Sequence, residues 1–471
     1  MTKIKFGTDG WRAIIAKEYT VENVARVSLG VSKWLNDKVK NPSIVIGYDC
    51  RFGGDMFTET AIKVFVSQGI KVLSSSNGFV STPMVSLSTL NHSASLGVVI
   101  TASHNPPSYN GYKLKGSFGG PLLPDDVADI EALIPDLNDI VLDEIDLNIE
   151  EKNGLLSFID MEQEYLNSVN KTFDLERIKN SGLNLAYDAM YGAGQKVIKR
   201  ILPDMDFLHC DYNPSFMGQA PEPIAKNLIE LSNFIKSNGN IDCALATDGD
   251  ADRIGLYNSK GEFVDSHHII LLLIHYLVKY KGLTGKVVTG FSSTPRIKKM
   301  CAHYNLEHVE VPIGFKYIAG IMADEDEDVL LGGEESGGIA IKTHIPERDG
   351  IWIGLTIWEF MAKSGKTFEE LIDEVYAIVG PFAFERADLH INNDLKSEII
   401  EKCKAGKFNF FGKYKVEKVE NMDGFKYIFD DNRWLMIRPS GTEPVLRTYA
   451  EAPTLKEVRH MLENCKLTIG A

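Results

Sequence analysis

Short apolar runs alternate with amphipathic stretches along most of the chain, and this alternation predicts repeated strand–helix units. In the N-terminal part the pattern predicts strands at 43–48, 71–73 and 96–100, and a helix at 55–68 that follows a favourable N-cap. Short strands separated by helical patterns are typical of parallel or mixed sheets covered by helices. The first predicted domain, residues 1–143, is therefore α/β.

Two further units repeat this layout. The second predicted domain, 153–258, contains predicted strands at 183–187 and 241–246 and an amphipathic helix at 224–238. The third predicted domain spans 259–366 and has the same alternation. The three units therefore predict three similar α/β domains with mixed sheets.

Between the first two units, residues 136–152 turn acidic and lose their periodicity, which favours a surface connection. Because the loss of periodicity also removes the strand and helix signals, this stretch is the predicted boundary between the first two domains.

From about residue 367 the pattern changes to short strands separated by turns, which favours antiparallel pairing. Met422-Asp-Gly424 has the composition of a hairpin turn. The last predicted domain, 367–471, is therefore α+β. Its predicted elements are strands at 382–390, 414–419, 425–429 and 434–437 and a closing helix at 454–466.

Composition limits the class of protein. With 471 residues the chain is too long for one core, and at roughly 100–200 residues per domain it predicts three or four domains. An apolar fraction of 44% and a charged fraction of 24% are those of a soluble globular protein. The net charge of −15 argues against a nucleic-acid surface, so we expect an anionic ligand to be held by local positive groups.

Cysteine spacing and apolar run length bear on location. The six cysteines are scattered without metal-ligand spacing, and the opening residues do not have the pattern of a signal peptide. The longest apolar run, 269–274, is too short to cross a bilayer. The sequence therefore predicts reduced thiols, a cytoplasmic location and no membrane span.

The stretch Thr101-Ala-Ser-His-Asn-Pro-Pro107 carries the first candidate chemistry. It follows the predicted buried strand 96–100, and the two prolines prevent a helix from starting directly after it. Ser103 is thus expected at a strand end, beside His104 and within reach of Lys113. These are the parts of an activated nucleophile or a phosphoryl carrier. An ordinary polar loop is the alternative.

Asp248, Asp250 and Asp252 alternate along the chain, and in an extended segment their carboxylates would lie on one side. Like charges at ~4 Å repel by ~1 kcal/mol per pair in water, and by more when buried, so a cation is expected among them. Oxygen ligands favour Mg²⁺ over Zn²⁺. The alternatives are a solvated acidic turn or a Ca²⁺ loop, although the glycine and glutamate are not at EF-hand positions.

Two more loops have suitable side chains but are ambiguous alone. Arg438-Pro-Ser-Gly-Thr442 offers a guanidinium, two hydroxyls and an open backbone, a combination that can surround a phosphate or form a plain turn. Gly333-Glu-Glu-Ser-Gly337 could bind sugar hydroxyls or simply bend the chain. Lys316 and His344 are equally ambiguous, whereas the glycines around Asp9 would aim that residue and Arg12.

Together, four loops resemble the signature loops of the phosphohexomutases, the phosphoglucomutase and phosphomannomutase superfamily. They occur in the family's order, one in each predicted domain, and the resemblance covers essentially the whole chain. It implies three α/β domains plus a C-terminal domain around a central active-site cleft. The four loops are Thr101-Ala-Ser-His-Asn-Pro106, Asp248-Gly-Asp-Ala-Asp-Arg253, Gly333-Glu-Glu-Ser-Gly-Gly338 and Arg438-Pro-Ser-Gly-Thr-Glu-Pro444.

The resemblance also implies roles for individual residues. Ser103 would be the phosphorylated serine, and its phosphate would help Asp248, Asp250 and Asp252 to hold Mg²⁺. Lys113 would be a general acid or base, with His104 positioning phosphate or the loop. The remaining implied roles are phosphoryl stabilisation by Arg12 and Arg253, sugar binding by Glu334, Ser336, Gly314 and Lys316, acid–base work by His344, and phosphate anchoring by Arg438, Ser440, Gly441 and Thr442.

The implied reaction interconverts a hexose 1-phosphate and a hexose 6-phosphate, with a hexose 1,6-bisphosphate as intermediate or activator. The sugar loop resembles that of phosphoglucomutases, because Gly338 stands where relatives specific for mannose or glucosamine phosphates often have histidine. Phe6-Gly-Thr-Asp-Gly10 instead resembles phosphoglucosamine mutases. We expect a monomer or small homo-oligomer that acts on glucose phosphate. Mannose or glucosamine phosphate, or a non-catalytic sugar-phosphate binder, are the alternatives.

Overall fold

The computed structural model describes residues 3–439 and 445–471. The chain forms two compact units. The larger contains Met1–Val288 and Gly314–Ile372, and the smaller contains Thr289–Ile313 and Asp373–Ala471.

The larger unit opens with a six-stranded mixed sheet whose strand order is β1-β5-β4-β2-β3-β6. The predicted strands at 43–48 and 96–100 are confirmed, and they run parallel with Tyr48 opposite Ile100. The strand at 96–100 is buried along its whole length because it lies between two other strands. The elements are β1 Trp11–Ile14, α1 Val21–Lys38, β2 Ser43–Tyr48, α2 Gly54–Ser67, β3 Lys71–Ser75, α3 Thr82–Asn91, β4 Leu96–Ile100, β5 Tyr109–Gly116, α4 Pro124–Leu133, α5 Leu147–Lys152 and β6 Leu156–Ile159.

Two local predictions in this region need correction. Helix α2 is present, but its N-cap is Gly53 in the left-handed conformation (φ +73°), so the expected side-chain cap is wrong. The second domain was expected to begin at residue 153, yet β6 pairs in parallel with β3 and so belongs to the first sheet. Only Leu156 in β6 is fully buried, which is why its apolar pattern was too weak to show.

The second sheet has five strands in the order β11-β10-β9-β7-β8. The predicted strands are confirmed with small shifts, but the predicted helix at 224–238 begins only at Ile229, after a short turn of 3₁₀-helix at 225–227. The elements are α6 Met161–Thr172, α7 Leu175–Lys179, β7 Leu185–Asp188, α8 Val197–Ile201, β8 Asp206–Leu208, α9 Ile229–Asn238, β9 Cys243–Thr247, β10 Ile254–Asn258 and β11 Phe263–Val264.

The third run of strands and helices extends from residue 266 to residue 379. In the larger unit, β14 and β15 pair antiparallel with Leu331 opposite Ile341, and the turn between them carries the predicted sugar loop. Helix α13 is almost entirely buried, and Asp349 caps it by accepting a hydrogen bond from the amide of Trp352. The elements are α10 Ser266–His275, β12 Lys286–Gly290, α11 Arg296–His303, β13 His308–Val311, α12 Phe315–Met322, β14 Val329–Gly333, β15 Ile339–Ile341, α13 Gly350–Ser364 and α14 Phe368–Val379.

The smaller unit is built on an antiparallel five-stranded sheet in the order β16-β22-β21-β20-β19, which confirms the predicted α+β pattern. The turn at Met422–Gly424 joins two paired strands as predicted. The predicted strand 414–419 is divided between two sheets. The elements are β16 Ala383–His390, α15 Asn393–Lys404, β17 Phe410–Phe411, β18 Tyr414–Lys415, β19 Lys418–Glu420, β20 Phe425–Asp430, β21 Arg433–Pro439, β22 Val445–Ala452 and α16 Leu455–Ile469.

A buried arginine ties residues 289–313 to this sheet. Arg296, at the start of α11, donates from Nε to Glu451 Oε1 at 3.0 Å and from Nη1 to the carbonyl of Val379. Its guanidinium lies 4.9 Å from the centre of the Phe382 ring. Because both charges of the pair are buried, this segment is fixed within the smaller unit.

The six cysteines are free and buried. Among the described residues, no helix is both long enough and apolar enough to span a bilayer.

A histidine joins three elements of the second sheet region. His209, just after β8, contacts Asp188 at the end of β7 through Nδ1 at 3.0 Å and Glu230 in α9 through Nε2 at 2.9 Å. The hydrogen bond to the buried Asp188 is the main influence on the imidazole and, with Glu230, raises the pKa of His209 to about 9. His209 is therefore a cation at neutral pH.

We expect this cation to stabilise the fold in a pH-dependent way. Since the pKa is raised from 6.5 to about 9, the stabilisation is complete below about 6.5 and is lost as pH rises through about 9. His209→Gln should therefore lower the melting temperature at pH 6.5 and change it little at pH 10. Glu230→Gln, which removes the exposed partner, should have a smaller effect. An equal loss for His209→Gln at both pH values would contradict this assignment.

Candidate active site

The Ser103 loop follows β4 as predicted. Ser103 is buried and has a left-handed backbone (φ +52°), which is uncommon for a residue with a side chain. Its Oγ donates a hydrogen bond to Asp248 Oδ2 at 2.6 Å and lies 3.2 Å from His104 Nδ1. The structure therefore brings the predicted serine to the predicted acidic loop, 145 residues further along the chain.

The three aspartates converge, but through a turn and not through the extended segment that their alternation suggested. Ala251 has a left-handed backbone (φ +58°), and one oxygen from each of Asp248, Asp250 and Asp252 lies within 4.8 Å of the others. All three residues are buried. Burial, followed by the charges of the other two aspartates, raises the pKa of Asp248 well above its ordinary value.

This donor set fits a hard divalent cation. The Oδ1 atoms of Asp250 and Asp252 are buried and accept no hydrogen bond from any residue that the structure describes. Buried carboxylate oxygens without donors call for a compensating charge, and three carboxylates are ligands that suit Mg²⁺. The residues present therefore support the predicted magnesium site.

Lys113, on β5, provides a positive charge on the other oxygens of the acidic loop. Its Nζ lies 2.8 Å from Asp250 Oδ2, 2.9 Å from Asp252 Oδ2 and 2.9 Å from Asp9 Oδ2. Burial alone would lower the pKa of Lys113, but the three carboxylates outweigh it and raise this pKa above its ordinary value. In this arrangement Lys113 is a cation at neutral pH.

His104 is in the opposite state. Burial, together with the cationic Arg253 and Arg12, lowers the pKa of His104 well below its ordinary value. A neutral imidazole next to Ser103 Oγ can accept a proton. His104 and Lys113 are therefore in opposite protonation states in this arrangement, and a cationic Lys113 remains compatible with the general-acid role that the resemblance implied.

Arg348 belongs to the site but was missed by the sequence reasoning. Its Nη2 contacts Asp9 and lies 2.6 Å from Asp252 Oδ2, and the side chain is buried. Burial would lower the pKa of Arg348, but the surrounding carboxylates, Asp252 first, raise it. The available signal was Glu347-Arg-Asp349, three successive charges between the apolar Ile345 and Ile351.

Arg348 also explains the glycine in the sugar loop. A Cβ on Gly338 would stand 2.4 Å from Arg348 Cδ, closer than side-chain atoms pack. The space that a side chain at position 338 would need is therefore occupied by Arg348.

Further buried residues contact Arg348's neighbour Glu347 and the aspartates. Glu347 lies 2.6 Å from Lys115 Nζ and accepts a hydrogen bond from Ser86 Oγ at 3.0 Å. Thr82, the first residue of α3, donates to Asp250 Oδ2. Sequence reasoning missed these residues. Lysine, serine and threonine are common on surfaces, and nothing in the sequence marks Lys115, Ser86 and Thr82 as buried.

Two of the predicted sugar-binding residues are joined by a hydrogen bond. Glu334 Oε1 accepts a hydrogen bond from the amide of Gly314 at 2.8 Å. Burial, and then the charge of Glu335, raises the pKa of Glu334 to about 7, so at neutral pH it can accept or donate hydrogen bonds to hydroxyls. Ser336 is half-buried in the β14–β15 turn. Lys316 lines a cavity of about 790 Å³ that also reaches Thr8 and Asp9.

His344 occupies a packed position. Its ring stacks on Trp352 with centroids 3.7 Å apart, and its Nε2 lies 3.0 Å from Asp349 Oδ2. Tyr165 donates its hydroxyl hydrogen to the same carboxylate. These contacts hold the start of α13 and favour a structural role over the acid–base role that the resemblance implied.

The predicted arginines divide between the two units. Arg12 donates from Nη1 to Asn105 Oδ1 at 2.8 Å, and the amide of Arg253 donates to Asp248 Oδ1 at 3.0 Å, so both lie at the Ser103 and aspartate loops. Arg438 lies in the smaller unit and pairs with Asp423 at 3.1 Å. Ser440, Gly441 and Thr442 fall outside the described residues.

Family models match the chain in four consecutive segments. The model for phosphoglucomutase/phosphomannomutase alpha/beta/alpha domain I matches residues 3–139, and those for domains II and III match 163–261 and 265–379. The model for the C-terminal domain of the same family matches residues 403–465.

Individual relatives match over nearly their whole length. A phosphoglucomutase/phosphomannomutase of Thermococcus kodakarensis is 29% identical, with 97% of this chain and 96% of the relative covered. A phosphoglucosamine mutase of Bacillus velezensis is 30% identical, with 95% and 94% covered. The crystal structure of a phosphomannomutase-like protein from Thermus thermophilus superimposes with a TM-score of 0.86 at 29% identity and covers 100% of both chains.

The charge balance of the site predicts a large stability effect for Lys113. Lys113→Met should lower the free energy of unfolding of the metal-free protein by about 3–5 kcal/mol, because it leaves buried carboxylates without their cation. Urea denaturation in the presence of a chelator measures this. Lys179→Met, which removes an exposed pair with Glu176, is the matched control and should have little effect. A loss no larger than that of the control would mean that Lys113 does not neutralise the aspartates.

Proposed function

Because the chain belongs to the phosphoglucomutase/phosphomannomutase superfamily, we propose that it interconverts glucose 1-phosphate and glucose 6-phosphate through phosphorylated Ser103. The chain is a phosphohexomutase, an intramolecular phosphotransferase. The observation that carries the proposed role of Ser103 is the hydrogen bond from its Oγ to Asp248 inside the buried aspartate cluster. A serine in that place would carry its phosphate next to the metal ligands.

The proposed reaction has two transfers. In the first, a free hydroxyl oxygen of the hexose phosphate bonds to phosphorus as the bond from phosphorus to Ser103 Oγ breaks, giving a hexose 1,6-bisphosphate. In the second, Ser103 Oγ takes the other phosphoryl group from this bisphosphate. Each transfer releases one hydroxyl proton and consumes one at the leaving oxygen. After the second transfer the serine is phosphorylated again.

We assign Mg²⁺ to Asp248, Asp250 and Asp252, with an oxygen of the phosphorylated serine as the resemblance implies. The ion would supply electrostatic stabilisation of negative charge on the transferring group. Arg12, Arg253 and Arg348 carry positive charge at the same loops and would add to this stabilisation without any proton transfer.

We infer that His104 takes part in the proton exchange of Ser103 on the basis of distance. In this structure the Ser103 hydroxyl donates to Asp248 Oδ2, and the neutral His104 Nδ1, 3.2 Å from the same oxygen, is a second group that can accept this proton when Ser103 attacks the bisphosphate. Lys113 is held as a cation by three carboxylates and would orient them. This assignment keeps both residues in the machinery.

Sugar and phosphate binding follow from the remaining loops. Glu334 and Ser336 would bind sugar hydroxyls, with Gly314 and Lys316 facing the sugar or its phosphate. By resemblance, the phosphate that does not react would be anchored by Arg438, Ser440, Gly441 and Thr442.

The choice of glucose rests on position 338. The close approach of Arg348 to Gly338 supports a loop that does not use a histidine there, as in phosphoglucomutases. The names of the relatives include glucose, mannose and glucosamine phosphates, and the opening Phe6-Gly-Thr-Asp-Gly10 favours glucosamine phosphate as the second candidate.

Ser103→Ala tests the reaction. The variant should carry no phosphate at residue 103 and should lose mutase activity by several orders of magnitude, because the phosphoryl carrier is absent. Intact-protein and peptide mass spectrometry of wild type and variant, together with turnover of glucose 1-phosphate in Mg²⁺, measure both effects. Ser108→Ala, in the same loop, is the control and should keep both phosphate and turnover. Undiminished turnover in Ser103→Ala would reject the phosphoserine mechanism.

A second experiment addresses the sugar. Wild-type protein should show its highest kcat/KM on glucose 1-phosphate when glucose, mannose and glucosamine 1-phosphates are compared under identical conditions. Gly338→His should reduce turnover of all three, because the new side chain displaces Arg348. A higher kcat/KM on glucosamine 1-phosphate would overturn the sugar assignment and leave the mutase assignment in place.

A further inference from the structure

A second buried arginine lies directly under the Ser103 loop. Arg51 follows β2 and has a side chain with no exposed surface. Because β2 and β4 are parallel with Tyr48 opposite Ile100, the residues after these two strands emerge at the same edge of the sheet. Residues 49–51 therefore lie beside the loop that starts at Thr101.

The guanidinium donates to four main-chain carbonyls of one loop. Nη2 donates to the carbonyls of Ser103 and Asn105, both at 2.6 Å, and Nη1 donates to those of Pro106 at 2.9 Å and Tyr109 at 3.0 Å. These four bonds use all four N–H groups on the two terminal nitrogens. One side chain thus fixes the course of the chain from residue 103 to residue 109.

The arginine is itself held in place from two sides. Its Nε lies 3.4 Å from Asp49 Oδ2, and the ring of Phe216 lies 5.1 Å from the centre of the guanidinium. Asp49 also accepts the hydroxyl hydrogen of Thr101, whose Oγ1 accepts the amide hydrogen of Ser103 at 2.8 Å. The carboxylate therefore connects the arginine to the amide of Ser103, while the arginine binds its carbonyl.

The bonds act on the one residue of 101–109 that has a left-handed backbone. Ser103 has φ +52°, a conformation that a non-glycine residue keeps only when its surroundings impose it. Both main-chain polar groups of Ser103 are tied to this one network, and its Oγ is thereby directed at Asp248.

We propose that Arg51 is a positioning residue for phosphoryl transfer, which together with Asp49 and Thr101 holds Ser103 in its left-handed conformation. Arg51 does not contact the reacting oxygen. It acts by keeping the main chain of the loop in the one course that places Ser103 Oγ among the metal ligands. Lysine is a poor substitute, because its three donors are all on one nitrogen. They cannot reach the four carbonyls that the two terminal nitrogens of the planar guanidinium bind.

Arg51→Met and a closely matched control test this proposal. Arg296 has similar surroundings in the smaller unit: a carboxylate at Nε, main-chain carbonyls at Nη1 and an aromatic ring beside it. Amide hydrogen exchange over residues 101–111 should be at least about tenfold faster in Arg51→Met than in wild type. In Arg296→Met it should stay at the wild-type rate. Unchanged exchange over 101–111 in a folded Arg51→Met protein would overturn the proposal that Arg51 fixes this loop.

The kinetic part of the inference rests on the proposed function. Arg51→Met should lower kcat by about 100-fold, the effect of a misplaced reacting group, with KM within about threefold of wild type because the substrate is not contacted. Arg51→Lys should recover little of this loss. If kcat falls equally in Arg296→Met, Arg51 is an ordinary structural residue. The same conclusion holds if Arg51→Met lowers kcat/KM only by raising KM.

A second variant and the behaviour of the wild-type protein separate failure of this proposal from failure to fold and from failure of the proposed function. If Arg51→Met does not fold, Thr101→Val removes the other half of the network and should give the same loss of kcat with faster exchange at 101–111. An intact kcat in Thr101→Val would then overturn the proposal. If wild type shows neither phosphate on Ser103 nor turnover, the proposed function fails. The hydrogen-exchange result still decides whether Arg51 fixes the loop.

Discussion

Three carboxylates buried within a few ångströms of one another are the constraint on which the rest of the larger unit depends. Asp248, Asp250 and Asp252 cannot all remain charged out of water unless positive charge surrounds them. Lys113 and Arg348 supply part of that charge, and they bring Asp9 and Glu347 with them. The result is an alternating arrangement of buried acids and bases that joins all three α/β regions of the chain.

The same constraint gives two basic residues of the site different charges. Lys113 contacts three carboxylates and is fully occupied by them. His104 stays neutral, because burial and the nearby cations, Arg253 first, lower its pKa. The electrostatic surroundings, and not the residue types alone, therefore set the charge of each residue at neutral pH.

The sequence was most informative where chemistry is contiguous along the chain. The Ser103 loop and the aspartate loop could be predicted because their residues are neighbours, and the strands at 43–48 and 96–100 because each is apolar along most of its length. Arg348, Lys115 and Arg51 could not, since a charged residue has meaning only once its burial and its partners are known. The boundary at residue 153 was wrong for a similar reason: β6 has one buried residue, and its membership of the first sheet depends on pairing with β3.

Residues 289–313 have a consequence for how the chain can be divided. This segment lies inside the third predicted domain, yet its buried Arg296 has its carboxylate partner, Glu451, near the end of the chain. A fragment that stops at residue 372 would contain the arginine without the glutamate, and a fragment that starts at 373 would contain the glutamate without the arginine. The smaller unit is therefore built from two segments that are separated in the sequence. No single cut in the chain yields a fragment that contains the whole smaller unit and nothing of the larger one.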